Sequence, residues 1–104
     1  MQDQPIQGQP DSGSSRSNAT QDLHDQGVVL IHVLSIYPTQ LRLQELIREL
    51  TDGSEDFAER DRVERAVREL IGAGLLFRCE GLVLPTRAAL RFNQILDDEE
   101  VGAI

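Results

Sequence analysis

The sequence predicts a mainly α-helical domain that carries one small β-hairpin. Apolar residues recur with helical spacing in two segments, 43–50 and 62–71. Two short apolar runs then flank Cys79-Glu80-Gly81, a segment with the composition of a hairpin turn. The chain has 104 residues, which is the size of one domain with a modest core.

The first predicted helix contains the apolar run 28–37. Its β-branched content leaves a strand as the alternative, and the run shows no clean alternation of apolar and polar residues. Asp22 and Asp25 precede it as charges suited to a helix N-terminus, and Pro38 ends it. We therefore expect a buried helix.

Two further helices follow. The second has the apolar spacing of an amphipathic helix, at Leu43, Leu46, Ile47 and Leu50. The third begins between Asp56 and Asp61 and turns Val63, Val67 and Leu70 inward. Phe57 is expected to anchor the preceding loop to the core.

Ala73-Gly74 ends the third helix, because glycine reaches the left-handed conformation without a Cβ clash. The hairpin strands are predicted at 75–78 and 82–84. Thr86 then caps a last helix over 87–96. The residues expected to face inward from it are Ala88, Leu90 (or Ala89), Phe92 and Ile95.

Composition divides the chain into three parts. Residues 1–20 are rich in Gln, Ser, Asp, Gly and Pro, and such a segment buries too little apolar surface to offset its ordering entropy. We expect a disordered arm over 1–20, the folded domain over 21–96, and an acidic, flexible tail over 97–104.

The order of helix, helix, helix, strand, strand and helix resembles the winged helix-turn-helix superfamily of bacterial transcription regulators. The matching segments are VVLIHVLSIYP, LRLQELIREL, RDRVERAVRELIGAGLL and LVLPTRAALRF. The resemblance implies a three-helix bundle whose third helix is a recognition helix, a two-stranded wing and a closing C-terminal helix. The segment between the second and third helices, 51–60, is longer than a minimal helix-turn-helix turn.

The net charge of the chain and the distribution of its arginines lead to opposite expectations about nucleic-acid binding. The chain has 10 basic residues, all of them arginine, against 18 acidic ones, for a net charge of −8. Such a balance does not favour nucleic-acid binding, which needs clustered positive charge. Residues 57–96, however, hold seven arginines against five acids.

The candidate DNA contacts lie in this segment. Arg62, Arg65 and Arg68 recur at i, i+3 and i+6 along one side of the third helix, opposite its apolar side. The resemblance implies that this side of the helix faces the major groove of DNA, where a guanidinium can bond guanine or phosphate. Arg78 on the wing and Arg60 complete the predicted site for double-stranded DNA, with Arg87 and Arg91 as flanking phosphate contacts.

The alternative is a solvated helix face held by local ion pairs. The pairs with the right spacing are Asp61–Arg65, Glu64–Arg68 and Arg65–Glu69. A mixed face of this kind also suits a protein partner. The alternative function is therefore an acidic winged-helix interaction module that does not bind DNA.

Other features set the remaining expectations. We expect a homodimer that pairs through the first helix and the C-terminal segment, because Val28–Ile36 is more apolar than one small core requires. His24 is expected to cap a helix and His32 to be partly buried and hydrogen-bonded. No residue pattern predicts an enzyme, a cofactor or a metal site. No signal peptide or membrane span is apparent, so we expect a cytoplasmic protein.

Overall fold

Four helices and three short strands make up the computed structural model, which describes the backbone of residues 3–102 and the side chains of residues 19–98. In chain order they are α1 (Asp3–Ile36), β1 (Leu41–Arg42), α2 (Leu43–Leu50), α3 (Phe57–Gly72), β2 (Leu76–Cys79), β3 (Leu82–Pro85) and α4 (Arg87–Gly102). The described part is thus mainly helical with a small antiparallel sheet, as predicted. The apolar run before Pro38 is helical, which confirms the choice of helix over strand.

Within the described residues the sheet has three strands in the order β1-β3-β2, one more than the predicted two-stranded hairpin. The strand that was not predicted is β1, whose two residues pair with β3 through Leu41↔Val83 and Arg42↔Leu82. β2 and β3 form the predicted hairpin. Its turn residues, Glu80 and Gly81, both have positive φ, as a two-residue type I′ turn requires.

The core lies where α1, α2 and α3 meet the sheet. Its buried members are Val29, Val33, Leu46, Ala66, Val67, Leu70, Leu76 and Val83. The inward positions predicted for α2 and α3 are largely confirmed, since Leu46, Ile47, Val67 and Leu70 are buried. The extensive contact between α1 and α3 fixes the orientation of α3 relative to the rest of the domain.

The end of α3 is joined to the start of α4. The Leu75 amide donates to the Leu70 carbonyl and the Gly74 amide to the Ile71 carbonyl, which together form a Schellman motif around Gly74, with its φ of 82°. The Thr86 hydroxyl donates to the Gly74 carbonyl at 2.7 Å and accepts from the Ala89 amide at 3.2 Å. The predicted stop and the predicted cap are both confirmed.

Four predicted inward residues are exposed, namely Phe57, Ala88, Phe92 and Ile95. Phe57 is 83% exposed and does not anchor the loop, because it is the first residue of α3 and precedes its inward-facing positions. Phe92 and Ile95 are 55% and 51% exposed. Ala89, the alternative inward residue, is the buried side chain of α4 among the described residues, and Phe92 and Ile95 lie about 60° and 120° around the helix from it.

The predicted ends of the domain are not tested. The bounds of α1 include most of the predicted arm, but the side chains of 1–18 lie outside the described residues. α4 continues past its predicted end at Leu96, while the tail side chains beyond Asp98 also lie outside them. The disordered arm over 1–20 and the flexible tail over 97–104 therefore stay predictions.

Within the described part of the chain, no helix combines the length and the apolar content that a membrane span needs.

Candidate nucleic-acid interface

The arginines of α3 differ in their surroundings. Arg62 is turned toward α1, where its Nη2 and Nε donate to the two carboxylate oxygens of Asp25 at 2.9 and 3.1 Å. The Asp25 side chain is only 13% exposed, whereas the Arg62 side chain is 44% exposed. This bidentate pair joins residues 37 positions apart in the chain and ties α3 to α1.

The electrostatics of this pair are those of a strong hydrogen-bonded contact. The two bonds from Arg62 lower the pKa of Asp25 below its ordinary value, against the opposing effect of burial, and a hydrogen bond from Gln21 adds to the lowering. The same contact raises the pKa of Arg62. Arg62 is therefore engaged in the fold before any ligand arrives.

Arg65 lies between two carboxylates. Its guanidinium is 3.8 Å from Asp22 on α1 and 3.6 Å from Asp61 one turn earlier on α3. All three side chains are substantially exposed, and ion pairs of this kind contribute little to stability. Arg65 can therefore exchange these partners for another anion at small cost.

Arg68 and Arg60 differ from these two. Arg68 is exposed, and within the described side chains no carboxylate lies within 4 Å of it. Arg60 is half-buried and donates to the side-chain oxygen of Gln44 on α2 at 3.3 Å. Arg60 thus sits at the contact between α2 and α3, while Arg68 faces solvent.

Two arginines flank the hairpin turn, and we call Arg42 and Arg78 the sheet arginines. Arg78 pairs with Val83 in β3, and Arg42 pairs with Leu82, one residue closer to the turn. Alternation along a strand puts the two side chains on opposite faces of the sheet. Both are exposed, and neither guanidinium has a carboxylate within 4 Å among the described side chains. The backbone amide of Arg42 donates to Glu45 Oε1 at 2.8 Å.

Arg42 was missed by the sequence analysis. A Cβ added to Gly81 would lie 3.0 Å from Arg42 Nη1, so the guanidinium rests against the hairpin turn. The absence of a Cβ at Gly81 thus allows both the positive φ of the turn and the close approach of the Arg42 guanidinium. The only sequence signal was an arginine directly before an amphipathic helix, which does not reveal that β1 pairs with β3.

The predicted ion pairs within α3 are partly right. Asp61–Arg65 is confirmed, whereas Glu64–Arg68 and Arg65–Glu69 do not come within 4 Å. Arg62 and Arg65 instead form ion pairs with acidic residues of α1. DNA contact by Arg60, Arg62, Arg65, Arg68 and Arg78 stays a prediction. Of the three arginines predicted along one side of α3, Arg62 and Arg65 contact acids of α1, whereas Arg68 does not.

The histidines serve the fold in different ways. His32 Nε2 lies 2.7 Å from Glu49 Oε1, which links α1 to α2 and confirms the expected hydrogen bond. His24 lies inside α1, so its predicted capping role is wrong. Over the described residues, no group of three His, Cys, Asp or Glu side chains is arranged to hold a metal ion.

Comparisons of this chain with protein-family models, with curated proteins and with solved structures found no match.

Proposed function

We propose that residues 21–96 form a winged-helix domain that binds duplex DNA through α3 and the β2–β3 hairpin, as a cytoplasmic regulator of transcription. The order of elements supports the winged-helix assignment, because a three-helix bundle is followed by a hairpin and a closing helix. The pairing of β1 with β3 supports it further, since it joins the start of α2 to the hairpin.

The observation that carries the proposal is the set of exposed arginines without carboxylate partners near these elements. Arg68 extends from α3, and the sheet arginines flank the hairpin turn. A guanidinium without an acidic neighbour can bond a phosphate without first breaking an ion pair. We therefore assign the main DNA contacts to Arg42, Arg68 and Arg78.

The proposal gives Arg62 and Arg65 a smaller part in DNA contact than Arg42, Arg68 and Arg78. Arg65 would release two weak pairs on contact with phosphate, which costs little. Arg62 would have to leave a mostly buried carboxylate, so its role in the proposal is to hold α3 in place. Arg60 supports the contact between α2 and α3 through Gln44.

The test is a titration of labelled random-sequence duplex with the full chain at several salt concentrations. We expect binding at micromolar protein in low salt, with a logarithmic salt slope of about −0.9 for each phosphate contact. The double variant Arg42→Gln/Arg78→Gln should reduce the magnitude of that slope by about 2. Arg48→Gln, an exposed arginine of α2 outside the proposed contacts, should leave the slope unchanged.

Absence of binding in low salt would contradict the proposal and favour a protein-binding module. The observation behind that second function is the acidic content of the same helix, where Asp61, Glu64 and Glu69 accompany the arginines. A surface with both signs of charge suits a protein partner better than a polyanion. Recovery of a stoichiometric protein partner that DNA does not displace would establish it.

A further inference from the structure

α4 leaves an apolar side uncovered. Within the described residues, β3 is the element that it contacts most, and Ala89 is its fully buried side chain. Phe92, Ile95 and Leu96 are each about half exposed. Large apolar groups that cluster on one helix face mark an interaction site more often than scattered ones do.

The exposed side chains follow the spacing of a helix–helix seam. Ala88, Phe92 and Ile95 are separated by four and then three residues, which is the alternation of core positions in a coiled coil. Leu96 adjoins this seam on the side of Ala89, next to the rest of the domain. The outer side of the seam is open to a second helix.

Charges on the open side of the seam are arranged with opposite signs. Arg91 and Asp98 lie about 100° and 120° around α4 from Phe92, on the side away from Ala89. They are seven residues apart, so they line the same edge two turns from each other without pairing within the helix. Both are exposed, and neither has an ion-pair partner within the described part of the chain.

We propose that α4 binds α4 of a second copy of this chain in antiparallel orientation about a two-fold axis. Phe92 then faces Ile95 of the partner subunit across the seam. Arg91 reaches Asp98 of the partner subunit, and the two-fold axis repeats that pair. A parallel arrangement would instead set Arg91 and Asp98 against the helix edge formed by Ala89 and Leu96 of the partner subunit, where neither charge meets its opposite. The charges therefore select the antiparallel arrangement.

The α4 surface is self-complementary, and this identifies a second copy of the chain as its partner. The same short segment supplies the apolar seam, the base and the acid, each at a position that matches its symmetry mate. This dimer does not depend on the proposed DNA binding. It assigns the self-association expected from the sequence to α4 rather than to the exposed residues of α1.

Sedimentation equilibrium of the full chain and of charge-reversal variants tests the proposal. We expect a particle of twice the 11.6 kDa chain mass at micromolar concentration. Arg91→Asp and Asp98→Arg should each weaken dimerisation about tenfold, because each turns two attractive contacts into repulsive ones. The double variant Arg91→Asp/Asp98→Arg should restore it.

Asp97→Arg is the matched control, because it reverses a charge next to Asp98 but on another side of α4. It should leave the dimer unchanged, while Phe92→Glu should abolish it. Circular dichroism of each variant separates loss of dimer from loss of fold. A monomeric wild-type chain, or single reversals that the double variant does not repair, would overturn the proposal.

Discussion

Arginine has different roles in two regions of the molecule, the contact between α1 and α3 and the turn of the β2–β3 hairpin. At the helix contact, Arg62 holds a mostly buried carboxylate through two hydrogen bonds and Arg65 lies between two acids. At the hairpin turn, the guanidinium groups of Arg42 and Arg78 have no carboxylate within 4 Å among the described side chains. The difference separates arginines that stabilise the fold from arginines available to a ligand.

The largest expected effect comes from the packed side of α3. Leu70 is 2% exposed, and Leu70→Ala should lower the free energy of unfolding by about 2–5 kcal/mol, because it removes buried methyl groups and leaves a cavity. Denaturant unfolding measures this loss. Phe57→Ala on the exposed side of the same helix is the control and should change stability by less than about 0.5 kcal/mol. Equal effects of the two variants would contradict the orientation of α3.

A smaller effect is expected from the ion pair between α1 and α3. Asp25→Asn keeps the shape of the side chain and should lower the free energy of unfolding by about 1 kcal/mol near neutral pH, since Arg62 is partly solvated and the pair is screened accordingly.

The same variant has a defined pH dependence. The pKa of Asp25 in the folded chain lies below its ordinary 3.8, so its ion pair contributes in full above that value and is lost as the pH falls through the folded pKa. The stability difference between wild type and Asp25→Asn should therefore be constant from about pH 5 upward and shrink in more acidic solution. A difference that grows on acidification would have the wrong sign.

The elements that the sequence predicts well are those set by local pattern. The spacing of Leu43, Leu46, Ile47 and Leu50 defines α2 with its observed bounds, and Ala73-Gly74 defines the end of α3. Thr86 likewise caps α4 through a bond to a residue three positions away. In each case, the interactions that form the element connect residues that are near neighbours in the chain.

What the sequence does not predict depends on contacts between distant segments. β1 has two residues, too few to show alternation, and exists because β3 offers an unpaired edge. The partner of Arg62 is 37 residues away, beyond the reach of helical spacing, and the pairs predicted within α3 did not include Arg62. Phe92 and Ile95 have the spacing of core residues, but they are exposed because α4 turns Ala89 toward the rest of the domain instead.

The difference between the two kinds of arginine is tested most directly by the DNA affinities of Arg62→Gln and Arg78→Gln, measured in one low-salt assay at a temperature where both variants are folded. We predict that Arg78→Gln weakens binding about tenfold and that Arg62→Gln stays within about twofold of wild type. Strong loss of affinity in Arg62→Gln with none in Arg78→Gln would contradict the assignment of DNA contact to the hairpin and of a structural role to the pair of Arg62 with Asp25.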